Sequence, residues 1–98
     1  MTIYRGKQAV CGIQLTIDRV WRYVMTDTDR LTVKITDCAG HSITNEYNSS
    51  AVDSKDKMIT ADFSAEQTSS LISGLGKLVV FLNDLVVVQP QKVMIKEV

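Results

Sequence analysis

The sequence predicts an all-β sandwich of about seven short strands with one short helix. Three observations carry that prediction. Apolar and polar residues alternate with a period of two in several short segments, the mark of half-buried strands. Clusters of Asn, Asp, Ser and Gly, residues that favour turns, separate those segments at short intervals. Near the C-terminus two dense apolar runs, 78–82 and 85–88, are split only by Asn83 and Asp84. The chain has 98 residues, 45% of them hydrophobic, which suits one domain over residues 1–98 with a single core.

The elements follow in order. Residues 10–17 read as the first strand, with Ile13, Leu15 and Ile17 on one face and Gln14, Thr16 and Asp18 on the other. Residues 20–25 read as a second strand carrying Trp21 and Tyr23 together, ended by the polar cluster Thr26, Asp27, Thr28, Asp29. In 31–37, Leu31, Val33 and Ile35 point inward while Thr32, Lys34 and Thr36 point to water. Ala39 and Gly40 then supply a hairpin turn in which Gly40 is free to take a positive φ. The returning strand is 42–47, and a polar connection through Ser49, Ser50 and Asp53 to Asp56 leads to another alternating strand with Ile59, Ala61 and Phe63. Ser64 is a helix N-cap with Gln67 as its capping-box partner and Glu66 in the first turn, so a helix is expected over 65–73, stopped by Gly74. Gly74, Leu75, Gly76 and Lys77 read as a turn before the strand 78–82. Pro90, which cannot donate to a ladder, reads as the end of the run 85–88, and 93–98 as the closing strand.

Composition narrows the function. Eleven basic and eleven acidic residues leave a formal net charge of zero, so no global field draws the chain to nucleic acid or to anionic lipid. No apolar run has the length of a membrane-spanning helix, and the first residues lack the order of a secretion signal. A chain made and kept in a cytoplasm is therefore expected, with Cys11 and Cys38 reduced. Trp21 between two cysteines resembles the immunoglobulin pattern, but the cysteines stand too close in sequence for that bridge.

Reactive groups are sparse. His41, the single histidine, falls at the hairpin tip and reads as a solvated turn residue. Asp27 and Asp29 have a D-x-D spacing, but Cys38 stands where an EF-hand loop closes with glutamate. No serine sits in a nucleophile elbow, and no metal or cofactor is expected. Asn48, Ser49 and Ser50 form a formal glycosylation acceptor, of no consequence without secretion. The apolar runs need cover from the monomer or from a neighbouring copy. The interface suspects are accordingly Leu78, Val80, Leu85 and Val87, with Trp21 and Tyr23 on the second strand.

Ile59, Thr60, Ala61, Asp62, Phe63, Ser64, Ala65, Glu66, Gln67 and Thr68, with the hairpin around Gly40, Gly74 or Gly76 and the terminal strands, carry a resemblance. The chain resembles the small immunoglobulin-like structural domains of tailed bacteriophages and prophages, such as the N-terminal domain of baseplate upper proteins. It departs from them at Pro90 and Gln91, where those domains often carry a glycine. The resemblance implies an Ig-like antiparallel β-sandwich without enzymatic activity. It implies a virion protein of a tail, baseplate or head-to-tail assembly, made in a bacterial cytoplasm. Its partners would be further copies of itself, in a homo-oligomer such as a ring, and other virion proteins, with no nucleic acid and no membrane. Two other readings stand beside it: a carbohydrate-binding module using Trp21 and neighbouring tyrosines, and an inhibitor presenting the loop with Asp53 and Asp56.

Overall fold

The computed structural model describes residues 1–14, 28–51, 58–83 and 85–97, and for residues 14, 49 and 85–89 the backbone alone. The described strands are β1 (Thr2–Tyr4), β2 (Ala9–Gln14), β3 (Leu31–Thr36), β4 (Ser42–Tyr47), β5 (Met58–Phe63), β6 (Gly74–Leu82) and β7 (Leu85–Lys96). A 3₁₀ turn spans Ser49–Ala51, and one short helix, α1, spans Ala65–Ser69. The strands form a five-stranded sheet in the order β1-β7-β6-β3-β4 and a two-stranded sheet of β2 and β5. The protein is an all-β sandwich.

The alternation read from the sequence is what lets the sheets face each other. Leu31, Val33 and Ile35 of β3 and Leu78 and Val80 of β6 are buried at 0–1% exposure, as are Val93 and Ile95 of β7. They meet Ile13 of β2 and Ile59, Ala61 and Phe63 of β5 in one core. Val33 pairs with Val80 and Ile35 with Leu78 across the β3–β6 ladder, so β-branched and leucine side chains share the inner surface in register.

Several boundaries differ from expectation, each for a physical reason. Residues Gly74 to Lys77 do not form a turn. They open β6, pairing Gly74 with Ile95 and Lys77 with Thr36. A Cβ at position 76 would stand 2.5 Å from the Thr36 carbonyl oxygen, so glycine here permits a close strand approach. Pro90 does not end a strand either. Between Leu78 and Val80 the partner on β7 moves from Gln91 to Val88, one residue further than on β6. Pro90 lies in that bulge, where no regular ladder needs its missing N–H, and 85–88 and 93–96 become one strand. The helix ends at Ser69 rather than 73 because local groups capture the backbone. The Ser69 and Ser70 hydroxyls donate back to the Glu66 and Gln67 carbonyls, both at 2.7 Å, and Asp37 accepts from the Ile72 amide. Strand β1 was not foreseen, and its pairing with β7 is parallel, the exception among the described ladders. The strand expected over 20–25 and the end of the one expected over 10–17 lie outside the described residues.

Candidate functional site

Asp37 is one of two buried carboxylates among the described residues, at 5% exposure like Asp29. It directly follows β3, and its side chain turns back into the hairpin. One carboxylate oxygen accepts from the amides of Ala39 at 2.9 Å and His41 at 2.8 Å. The other accepts from the Ile72 amide at 2.8 Å and faces His41 Nδ1 at 3.1 Å. Burial by itself would raise the Asp37 carboxyl, but the hydrogen bonds from Ile72, His41 and Ala39 outweigh it and hold it below its ordinary value. A carboxylate engaged this way pins the hairpin tip to the segment after α1. Gly40, at φ 89°, gives the tip its turn, and His41 stays exposed beside Asp37.

A second polar cluster closes the sandwich where β4 meets β5. The β4 side chains facing inward change from Ile43, which is buried, to Asn45 and Tyr47. Asn45 Nδ2 donates to the Asp62 carbonyl at 2.6 Å, and the Asp62 amide donates to the Tyr47 hydroxyl at 2.9 Å. Gln67 bonds Asn45 Oδ1 at 2.8 Å while completing the predicted capping box with Ser64. Gln8 Nε2 reaches both Asp62 carboxylate oxygens, at 2.8 and 2.9 Å. These side chains line an open groove of about 610 Å³ that also takes in Glu46.

The third candidate is the outer face of the five-stranded sheet. Leu75 and Met94 are register partners on it, 52% and 40% exposed, and Tyr4, 47% exposed, lies diagonally off Met94, whose partner on β1 is Thr2. Lys77 stands directly opposite Lys92, and Lys96 opposite Tyr4. Lys34, half-buried, lies one strand over, opposite Val79.

The residues picked from the sequence as interface suspects fall differently. Leu78 and Val80 are core residues, 1% and 0% exposed, so the monomer itself covers them and they cannot meet a neighbour. Leu85 and Val87 belong to β7, but their side chains lie outside the described set, and Trp21 and Tyr23 lie outside the described residues altogether. Of the aspartate pair, Asp27 is likewise outside, while Asp29 is buried and accepts from Asn83 Nδ2 at 2.7 Å. Both cysteines are free thiols, Cys11 buried and Cys38 exposed, and burial pushes the Cys11 thiol up. Among the described residues no three His, Cys, Asp or Glu side chains are grouped as a metal site would need, and no described helix is long and apolar enough to cross a membrane.

Sequence reasoning missed the lysines because each one reads singly as the polar member of an alternating strand. That they share a face depends on the order β7-β6-β3, which no local pattern encodes. It missed Asp37 because a carboxylate beside a hairpin turn reads as solvated. No protein-family model matches the chain, and no solved structure matches it.

Proposed function

We propose that this protein is a non-enzymatic docking module, a virion structural protein of a tailed phage or prophage. It acts in a tail, baseplate or head-to-tail assembly by binding copies of itself and other virion proteins. The observation that carries the reading is the outer face of the five-stranded sheet, where the register partners Leu75 and Met94 stay exposed, with Tyr4 diagonal to Met94 and Lys77, Lys92 and Lys96 on the same face. An apolar centre with a charged surround is the anatomy of a protein contact. The resemblance of the Ile59 to Thr68 segment to phage structural domains supplies the virion setting. The deep carboxylate, Asp37, supports the absence of enzymatic chemistry in this reading, because the fold itself uses both its oxygens.

The test is absolute mass by light scattering on a size-exclusion peak, across a range of concentrations. A discrete multimer is expected, whereas a monomer at every concentration would overturn self-assembly. A second reading, a glycan-binding module, draws on the amide, carboxylate and phenol groups of Gln8, Asn45, Asp62 and Tyr47 in the groove. It ranks below the first because those groups already bond one another. Binding on a glycan array that vanishes in Tyr47→Ala, with the fold intact, would reverse that ranking.

A further inference from the structure

The outward positions of the five-stranded sheet gather lysines from three adjacent strands. Lys77 of β6 stands directly opposite Lys92 of β7. Lys34 of β3 lies diagonally off Lys77, since its own partner on β6 is Val79 and that of Lys77 on β3 is Thr36. Opposite positions on one face are about 5 Å apart and diagonal ones about 7–8 Å, so these three lysines form one cluster. Lys96 continues it along β7, two residues beyond the exposed Met94. Among the described residues none of the four takes part in an ion pair. The described acid on this face, Glu46, lies diagonally off Lys34 on β4 and is 3.7 Å from Arg30. Like charges directly opposite each other destabilise a strand pair, and nothing described on the face offsets Lys77 against Lys92.

A second copy does not supply the missing acids. Two copies set face to face about a two-fold axis would bring lysines against lysines. Elsewhere on the chain the described exposed acids are engaged: Asp62 by Gln8, Glu97 by Arg5 and Glu46 by Arg30. That leaves Glu66 in the first turn of α1, one carboxylate for four lysines. Single-stranded nucleic acid matches the charge but not the apolar part. Its platforms stack bases on aromatic rings, whereas the exposed pair on this face, Leu75 and Met94, has no ring. We infer that this face takes a different protein, one that presents clustered Asp and Glu side chains around an apolar group. Leu75 and Met94 bury against that group while Lys77, Lys92 and Lys96 meet the carboxylates. Charge of this kind selects the partner and speeds its arrival, and the apolar pair holds it. The inference rests on the docking-module reading and names the chemistry of the partner for the same face.

The probe is a synthetic peptide of about twelve residues repeating Glu-Glu-Leu, with a Gln-Gln-Leu counterpart as the uncharged control. Both are titrated calorimetrically into the intact protein at about 0.05 M sodium chloride. The acidic peptide is expected to bind and the uncharged one not to, with affinity falling as salt rises to about 0.5 M. Lys77→Gln/Lys92→Gln should weaken binding at least about tenfold. Lys7→Gln removes an exposed positive charge from the turn after β1 and should change it less than about twofold. Leu75→Ala/Met94→Ala should weaken it too, which charge attraction alone would not explain. The lysine double variant loses a like-charge repulsion and is expected to melt no lower than the parent chain. Should it nevertheless fail to fold, Lys92→Gln and Lys96→Gln singly carry the test, with losses of about threefold each. If the acidic peptide does not bind, or Lys7→Gln weakens it as much as the face variants do, this partner chemistry is wrong. A parent chain that then multimerises in light scattering keeps the docking reading through its own copies, and a monomer overturns both. A monomer that binds the acidic peptide through this face supports the inference and confines docking to other proteins. Tighter binding of an oligo-thymidine of about 20 nucleotides through the same lysines overturns it, because the face would then serve nucleic acid.

Discussion

Gly76 lacks a side chain because none fits: the Thr36 carbonyl oxygen and Ile95 Cδ1 would lie 2.5 and 3.2 Å from its Cβ. The nearer obstacle is backbone, which cannot swing aside as a flexible side chain can. Gly76→Ala should therefore part β3 from β6 locally and destabilise the protein by about 1–3 kcal/mol, the range of overpacked cores. Urea denaturation measures this directly, and an unchanged midpoint would show that the strands yield. Asp37 acts at the same scale through charge. Its carboxyl sits below its ordinary value of 3.8, so its contribution is fully present above that pH and is lost as pH falls through the lower, folded value. Asp37→Asn keeps the shape but turns an amino group toward an amide that needs an acceptor. The variant should melt at a lower temperature at pH 7 and lose less on acidification to pH 2 than the parent chain does. Parallel acid limbs for the two proteins would remove Asp37 from the account of acid stability.

At the scale of elements, Asn83 shapes the described part of the tip between β6 and β7. Asn83 takes φ 49°, and its side chain bonds the Arg30 amide at 3.0 Å and Asp29 at 2.7 Å. Its own amide donates to the Arg30 carbonyl. Two separable demands follow, a left-handed backbone and a side-chain clamp on the start of β3. Asn83→Gly meets the first and should cost about 1 kcal/mol through the lost bonds. Asn83→Ala meets neither and should cost about 1–2 kcal/mol more. Equal losses in the two variants would mean the backbone conformation is unstrained. The pair Asn83 and Asp84 announced this hairpin in the sequence, as Ser64 and Gln67 announced the capping box and Leu31 to Ile35 the inner face of β3. Period and turn chemistry are local, and the sequence displays them. Glycine and proline misled at Gly76 and Pro90 for one reason: both read as breaks, and only the neighbouring strand shows an opening or a bulge. The short β1 was invisible because its pairing with β7 joins the two ends of the chain.

The molecule as a whole depends on how its two unequal sheets are joined. Among the described strands, β5 ends the small sheet with an edge not paired to β2, and β4 ends the large one. An unpaired edge invites wrong pairing with another chain. Here side chains stand in for a strand: Tyr47 accepts from the Asp62 amide and Asn45 donates to the Asp62 carbonyl. This seam could not be read from the sequence, since Asn45 and Tyr47 look like the ordinary end of an alternating strand and their partners are backbone. It leads to a prediction confined to one amide. Tyr47→Phe removes the acceptor while keeping the ring and should cost about 1 kcal/mol. Hydrogen exchange at Asp62 should accelerate roughly fivefold, the factor corresponding to about 1 kcal/mol. The amides of Ala61 and Phe63, on either side, should change much less, because they lack the Tyr47 bond. Adding Asn45→Ala should loosen the carbonyl as well and give a loss that departs from the sum of the two single losses, as expected for groups sharing one residue. If Asp62 exchanged no faster in Tyr47→Phe, water would be serving its amide equally well, and the seam would be a surface contact rather than what holds the sheets edge to edge.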